Sequence, residues 1–143
     1  MALTIDGRAV VEGTAEGEAL VTGEPLSFWG GYDFRTGDII DRHHPLAGVR
    51  AAGRILAVPF SKGSSTTTAV LLEAVRAGTA PAAIITTGVD AFFALASIVS
   101  ETMYSRSFPV VAVEARDFAA LRDGVRVRIE RNGRIHLTDG PAG

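Results

Sequence analysis

Cysteine is absent from all 143 residues of this sequence. Its absence excludes disulfide bonds, thiolate metal ligands and a cysteine nucleophile within the chain. A reaction that depends on a thiolate-bound metal centre would therefore require a partner chain to supply the ligands. The side chains left for chemistry include hydroxyls, carboxylates, imidazoles, guanidinium groups and one lysine ammonium group.

Neither sign of charge dominates, since 14 Lys and Arg residues stand against 16 Asp and Glu residues, with a formal net charge of −2. No basic stripe is present, so nucleic acid is not an expected partner. Residues 1–6 lack the long apolar region of a signal peptide. The most apolar stretch, Val89–Val99, is too short to span a bilayer and is interrupted by Asp90 and Ser97. We therefore expect a cytoplasmic protein that binds neither a membrane nor nucleic acid.

The composition is that of a folded globular chain, with 47% hydrophobic and 21% charged residues. At this length we predict one domain over residues 1–143. Its central part alternates strands with helices. The predicted strands are Gly53–Pro59, Ala82–Thr86 and Pro109–Val113, and the predicted helices are Thr67–Ala77 and a segment from the N-cap Asp90 to about Met103. This order predicts a mostly parallel sheet.

Shorter elements flank this central unit. We predict strands at Arg8–Gly13 and Glu18–Thr22, helical turns at Asp117–Leu121, and a final hairpin of Gly124–Glu130 and Arg134–Thr138 around an Asn-Gly turn. The predicted fold class is therefore α/β, a β/β/α domain in which two β regions flank an α/β unit. The helix after Asp90 is apolar on all sides in its first turns, so we expect it to be enclosed.

A long irregular segment, Pro25–Gly53, separates the first β region from the central unit. It has at most a short strand at Asp38–Ile40, and loops of this length in small domains are usually functional or disordered. Its aromatic residues Phe28, Trp29 and Phe34 argue against disorder because such side chains favour burial. We expect Trp29 to be a buried anchor.

The same segment carries polar residues that invite a metal interpretation. His43 and His44 could relay protons or ligate a metal, but adjacent residues in an extended loop point apart, which favours a solvated pair. Asp33, Asp38 and Asp41 do not follow the ligand spacing of an EF-hand loop. We therefore expect no metal site in this segment.

The most informative stretch is Phe60–Thr68, a hydroxyl-rich loop between a strand-like run and a helix-like run. The first N–H groups of a helix lack partners within the helix, so this position favours a bound anion or a serine oxygen that becomes anionic. The loop also contains Lys62, the only lysine in the sequence. It lacks the order of glycine, lysine and serine that defines a phosphate-binding P-loop.

Two interpretations of this loop follow from the residues alone. Ser64 and Ser65 could simply cap the helix, which is the commoner role of serine at this position. Alternatively, the helix N-terminus and the Lys62 ammonium could stabilise the alkoxide of Ser64 without a histidine, and Gly63 would allow a ligand to approach closely. The run of hydroxyl residues from Ser64 to Thr68 exceeds what one cap requires.

Several stretches, taken in order, resemble the small, swivel-domain subunit of aconitase X. The resemblance runs from about Gly13 to Val113, and its strength lies in the ordered set. The stretches are Pro25–Asp33, Thr36–Asp41, His44–Gly48, Gly53–Leu56, Lys62–Ser65, Val70–Glu73, Ala80–Ile85 and Pro109–Val111.

The resemblance implies a swivelling β/β/α domain of the aconitase superfamily and a hydro-lyase activity. It implies a large catalytic partner subunit that carries an iron or iron–sulfur centre, with no cofactor or metal bound by this chain. In relatives the serine after the loop glycine is the general base, which corresponds to Ser64. Lys62 would hold a substrate carboxylate or the alkoxide, and Gly63 and Ser65 would complete the substrate-binding loop. Ser61 stands where the family commonly has glycine.

Two substrates are implied by the family. Bacterial relatives dehydrate cis-3-hydroxy-L-proline to 1-pyrroline-2-carboxylate, and archaeal relatives dehydrate 5-phosphomevalonate. The preference for arginine over lysine and the abundance of alanine and glycine suggest a GC-rich genome, which is more often bacterial. We therefore expect the small-molecule hydroxy acid substrate to be the hydroxyproline.

Two rival functions remain open at this point. The chain could be a non-catalytic module whose loop from Lys62 to Thr66 binds a phosphate or carboxylate. It could also be a structural subunit that only closes a partner's cleft. Anion binding by the isolated chain would favour the first, and unchanged turnover after Ser64→Ala would favour the second.

Overall fold

A computed structural model describes residues 2–62 and 66–138 of the chain. In chain order the elements are β1 (Ala2–Asp6), β2 (Arg8–Val11), β3 (Ala15–Val21), β4 (Tyr32–Asp33), β5 (Asp38–Ile39), β6 (Ile55–Ala57), α1 (Thr66–Ala77), β7 (Ala83–Thr87), α2 (Ala91–Tyr104), β8 (Val110–Val113), α3 (Ala115–Ala119), β9 (Arg126–Ile129) and β10 (Arg134–Thr138). In the ranges that the structure describes, no helix is both long enough and apolar enough to cross a bilayer.

The main sheet of the described chain has eight strands in the order β1-β10-β9-β3-β6-β7-β8-β2. The strand β3 joins its two halves, because its first residues pair antiparallel with β9 and Ala19–Val21 pair parallel with β6. From β3 to β8 the neighbouring strands are parallel, and β2 adds an antiparallel edge. The predicted α/β fold class is confirmed, and the flanking β regions extend the central sheet instead of forming separate layers.

The sheet curls because the chain connects its two outer strands through one residue. The strand β1 lies at one end of the strand order and β2 at the other, yet only Gly7 separates them in sequence. The Gly7 N–H donates to the Gly133 carbonyl at 3.2 Å. A Cβ at position 7 would overlap the Val111 side chain and lie 2.9 Å from the Gly133 carbonyl oxygen. Glycine is therefore required where the edges of the sheet meet.

Alternation along the central strands divides the described core into two clusters. Leu56 and Ile84 face the side covered by α1 and α2, where they join Leu71 and Phe93. Their strand neighbours contribute to the other cluster with the C-terminal hairpin, because successive side chains of a strand point to opposite faces. That second cluster includes Ile55, Ile85, Val127, Ile129 and Ile135.

Three sequence predictions about elements need correction. The strand β1 was not predicted, because Ala2–Asp6 is short and becomes a strand by pairing with β10 at the far end of the chain. The last helix begins and ends two residues earlier than predicted, at Ala115–Ala119. The helix α2 is not enclosed as predicted, because its Leu95 and Ile98 side chains are about half exposed, at 48% and 54%.

Candidate functional site

The candidate loop leaves the sheet at the carboxyl end of β6, which is the edge where open parallel sheets bind ligands. Neighbouring strand residues hold its start. The Val58 N–H donates to the Ile85 carbonyl at 3.0 Å. The Pro59 carbonyl then accepts from both the N–H and the hydroxyl of Thr87, at 3.1 and 3.0 Å. The position of the loop is thus set by β7 as well as by its own strand.

Two further contacts fix the chain at the next residues. Ser61 forms a parallel bridge with Leu26, and the Lys62 N–H donates to the Leu26 carbonyl at 2.9 Å. The Ser61 N–H and hydroxyl both donate to Oδ2 of Asp90, at 2.7 and 2.9 Å. The residues that lead into the loop are therefore held from the irregular segment on one side and from the start of α2 on the other.

The loop continues toward α1 with its one ammonium group exposed. The Lys62 side chain lies at the surface, where it is available to an anionic ligand. Gly63, Ser64 and Ser65, the other predicted site residues, lie outside the described residues. The described chain resumes at Thr66, the first residue of α1.

The first turn of α1 is fixed against α2. Thr67 and Thr68 are buried, and the Thr68 hydroxyl donates to the Phe92 carbonyl at 3.2 Å. These threonines therefore have packing roles, which accounts for part of the hydroxyl run noted in the sequence. The 12-residue helix α1 carries no acidic side chain in its first turn. The positive end of its helix dipole thus retains its attraction for a negative charge.

The irregular segment is anchored by Phe28 instead of Trp29. Phe28 is fully buried, stacks on Tyr32 with ring centroids 5.2 Å apart, and meets Phe93 of α2 edge-on at 5.5 Å. Trp29 is 70% exposed, so its predicted role as a buried anchor is wrong. Residues 28 and 29 point to opposite sides of the turn, and the hydrophobicity of the pair does not indicate which side faces the core.

The hairpin of β4 and β5 makes the rest of the segment compact. The Tyr32 hydroxyl donates to the Thr79 carbonyl at 2.7 Å, and burial raises the pKa of Tyr32 far above its usual range. The Asp33 carboxylate accepts from the Arg35 N–H at 2.9 Å, and this bond lowers the pKa of Asp33. Both groups are therefore engaged within the fold.

The two adjacent histidines have different environments, which corrects the prediction of a solvated pair. His43 is exposed, whereas His44 is buried. Nδ1 of His44 accepts from the Leu46 N–H at 3.0 Å, and its Nε2 lies 3.4 Å from the Glu24 carbonyl. An imidazole with both nitrogens engaged by the backbone has a structural role.

The described residues do not offer a metal centre. Within residues 2–62 and 66–138, no three His, Asp or Glu side chains lie close enough together to hold a metal ion. The aspartates of the irregular segment contact other groups of the chain: Asp38 pairs with Arg50 at 3.6 Å, and Asp41 accepts from the His43 N–H at 3.0 Å.

A model of the aconitase X swivel domain family matches residues 4–137. The chain belongs to this family. The matched residues include the irregular segment, the loop after β6, and the helices α1 and α2.

Relatives of this aconitase X swivel domain have two different names. It is 42% identical over 142 residues to the cis-3-hydroxy-L-proline dehydratase of Pseudomonas aeruginosa. That alignment covers 94% of the chain but only 24% of the relative, so the chain spans about a quarter of that protein. It is also 36% identical over 128 residues to the phosphomevalonate dehydratase small subunit of Pyrococcus furiosus, covering 90% of each.

A solved structure agrees with the fold of this swivel domain. The crystal structure of Thermococcus kodakaraensis aconitase X in its holo-form matches with a TM-score of 0.85 and 33% identity. The match covers 96% of this chain and 99% of that one. The predicted likeness to the aconitase X swivel domain is confirmed.

Sequence reasoning located the loop of this aconitase X swivel domain but missed what holds it. Asp90 was predicted as the N-cap of α2, and its Oδ1 does accept from the N–H groups of Phe92 and Phe93. Its second oxygen binds Ser61, 29 positions away in sequence. No local pattern reports such a contact, although an aspartate cap offers a second acceptor that a serine cap does not.

Proposed function

We propose that this chain is the swivelling small subunit of an aconitase X-type dehydratase that converts cis-3-hydroxy-L-proline to 1-pyrroline-2-carboxylate. The observation that carries the proposal is the 42% identity over 142 residues to a protein named for that reaction. The anchored loop with Lys62 at the carboxyl edge of the sheet supports it, because an amino acid substrate has a carboxylate that an ammonium group can bind.

In this proposal Ser64 takes the α-proton of the substrate. The C2–H bond breaks, its electron pair forms the C2=C3 double bond, and the 3-hydroxyl group leaves, so that one water is lost overall. The enamine that results becomes the 1-pyrroline by moving a proton from nitrogen to carbon. Lys62 would bind the carboxylate, while Gly63 and Ser65 would let the substrate approach the loop.

The N-terminus of α1 gives a physical reason for a serine base. A serine hydroxyl is a weak base until its alkoxide is stabilised. The positive end of the α1 dipole and the Lys62 ammonium would both favour that anion. In sequence, the proposed base lies between two described groups, Lys62 and the start of α1 at Thr66.

We assign the iron or iron–sulfur centre of the family to a large partner subunit. The residues present here do not fit such a centre, because the chain has no cysteine and the described residues contain no group of three metal-binding side chains. The chemistry at the leaving hydroxyl is therefore attributed to the partner, and this chain contributes the base and the substrate-binding loop.

Dehydration of 5-phosphomevalonate is the second candidate reaction. It is favoured by the similarity to the Pyrococcus furiosus small subunit, which this chain matches over 90% of both lengths. A phosphate group would suit the same loop, because Lys62 and the N–H groups at the start of α1 bind anions of either kind. The two substrates are best separated by direct assay.

The test is to copurify the complex from its source cell through a tag on this chain, then measure iron and both dehydrations. A large iron-containing partner and turnover of cis-3-hydroxy-L-proline, with none of L-proline as the control, are the expected result. Turnover of 5-phosphomevalonate alone would replace the substrate assignment. A lone, metal-free chain that binds anions would instead support the non-catalytic module and overturn the proposed function.

A further inference from the structure

Asp90 connects two parts of the fold through separate oxygen atoms of one carboxylate. Its Oδ1 accepts from the Phe92 and Phe93 N–H groups at 3.0 and 3.1 Å, which caps α2. Its Oδ2 accepts from the N–H and hydroxyl of Ser61 at 2.7 and 2.9 Å. The side chain is only 8% exposed. The charge is therefore poorly screened by solvent.

Capping alone does not account for this arrangement. A helix cap needs one acceptor oxygen, and asparagine or serine supplies it as well as aspartate. The second oxygen makes both of its bonds to Ser61, the residue directly before Lys62. Hydrogen bonds to a charged acceptor are also roughly twice as strong as neutral ones.

We propose that Asp90 is a positioning residue for the dehydration, acting on the base Ser64 by holding Ser61. This inference rests on the proposed function, since it takes Ser64 as the base. Ser61 lies three residues before Ser64 in sequence, so the bonds from Asp90 to Ser61 restrain the chain that leads to the base. A displacement of about 1 Å at a reacting group can cost about 100-fold in rate.

The contact between Asp90 and Ser61 differs from the neighbouring contacts at the start of the loop. Pro59 and Lys62 are held through backbone carbonyls and N–H groups, by Thr87 and Leu26 respectively. The acceptor that holds Ser61 is instead a side chain, the carboxylate of Asp90. It can therefore be removed by a substitution that leaves the neighbouring backbone bonds in place.

Asp90→Asn in the assembled enzyme is the selective test. Asparagine keeps one oxygen for the Phe92 and Phe93 N–H groups, so α2 stays capped. Its amide group cannot accept from the Ser61 N–H. We expect kcat/KM to fall by about 10-fold or more, while the complex assembles normally and melts within a few degrees of the wild type. Asp117→Asn on α3 is the matched control and should leave kcat/KM unchanged.

A double variant separates positioning from general damage. If Asp90 acts through the base, Asp90→Asn should lower the residual kcat/KM of Ser64→Ala by less than about 2-fold, because the group it positions is gone. An equal loss in both backgrounds would overturn the positioning role. Retention of full kcat/KM by Asp90→Asn in the wild-type background would overturn it as well.

Amide hydrogen exchange gives a readout that does not depend on activity. In the full chain, Asp90→Asn should speed exchange of the Ser61 amide by at least about 10-fold, with Ser61→Ala showing a smaller change because its N–H bond remains. Unchanged exchange at Ser61 would overturn the inference. If the wild-type complex dehydrates neither substrate but exchange responds as expected, the proposed function has failed while the attachment of the loop stands.

Discussion

Single residues in this chain show how one chemical type takes different roles according to its contacts. His44 has both ring nitrogens engaged by the backbone and is buried, whereas its neighbour His43 is exposed. The Asp90 carboxylate likewise divides its two oxygens between a helix end and a loop. The role of each of these side chains is distinguished by its partners, which the fold supplies.

The pair of Glu130 and His136 gives a prediction for pH dependence. The His136 imidazole hydrogen-bonds the Glu130 carboxylate and lowers its pKa below the ordinary value of 4.5, with Arg128 and Arg134 acting in the same direction. A carboxylate with a lowered folded-state pKa stabilises the fold above its unfolded pKa, and the contribution is lost as the pH falls through the folded value.

Glu130→Gln should therefore weaken the pH dependence of unfolding. Between about pH 5.5 and pH 3, urea unfolding should show a smaller loss of stability in Glu130→Gln than in the wild type. Glu101→Gln on the exposed surface of α2 is the matched control. Identical pH profiles for wild type and Glu130→Gln would show that the pair does not couple folding to pH.

At the scale of elements, the irregular segment depends on one buried ring. Phe28 stacks on Tyr32 and meets Phe93 of α2, so it attaches the segment to the helix layer. The segment supplies Leu26, the backbone partner of Lys62. Phe28, which packs the segment against α2, therefore lies only two positions from Leu26, which contacts the candidate loop.

Adjacent aromatic residues allow a controlled test of this attachment. Phe28→Ala should lower the free energy of unfolding by about 3–5 kcal/mol, the usual cost of removing a buried phenyl ring. Trp29→Ala, one residue away and largely exposed, should change it by less than about 0.5 kcal/mol. Chemical denaturation of the full chain measures both. Equal effects would mean that the buried and exposed assignments of this pair are wrong.

At the scale of the whole molecule, Gly7 brings the two ends of the sheet together. It joins β1 to β2 at opposite ends of the strand order, beside the Gly133 carbonyl. Gly7→Ala should destabilise the fold by about 1–3 kcal/mol through overpacking. Gly23→Ala is the matched control, since no atom lies within 4 Å of a Cβ there, and it should be neutral or slightly stabilising. A neutral Gly7→Ala would contradict the tight contacts around position 7.

The sequence predicts the central α/β unit well because its signals are local. Buried strands, the Asp90 cap and the Asn-Gly hairpin each depend on residues within a few positions of one another. The missed features depend on distant partners: β1 needs β10, the choice of Phe28 over Trp29 as the anchor needs α2, and Oδ2 of Asp90 needs Ser61. The candidate loop was found from its composition, and its anchoring required the fold.

The most direct test of the account is the turnover of the assembled dehydratase with Ser64→Ala. A general base contributes about 100- to 10,000-fold to the rate, so kcat for cis-3-hydroxy-L-proline should fall at least about 100-fold. KM should change little, because Lys62 remains to bind the carboxylate. Near-normal kcat in a complex that assembles and retains its iron would contradict the assignment of Ser64 as the base.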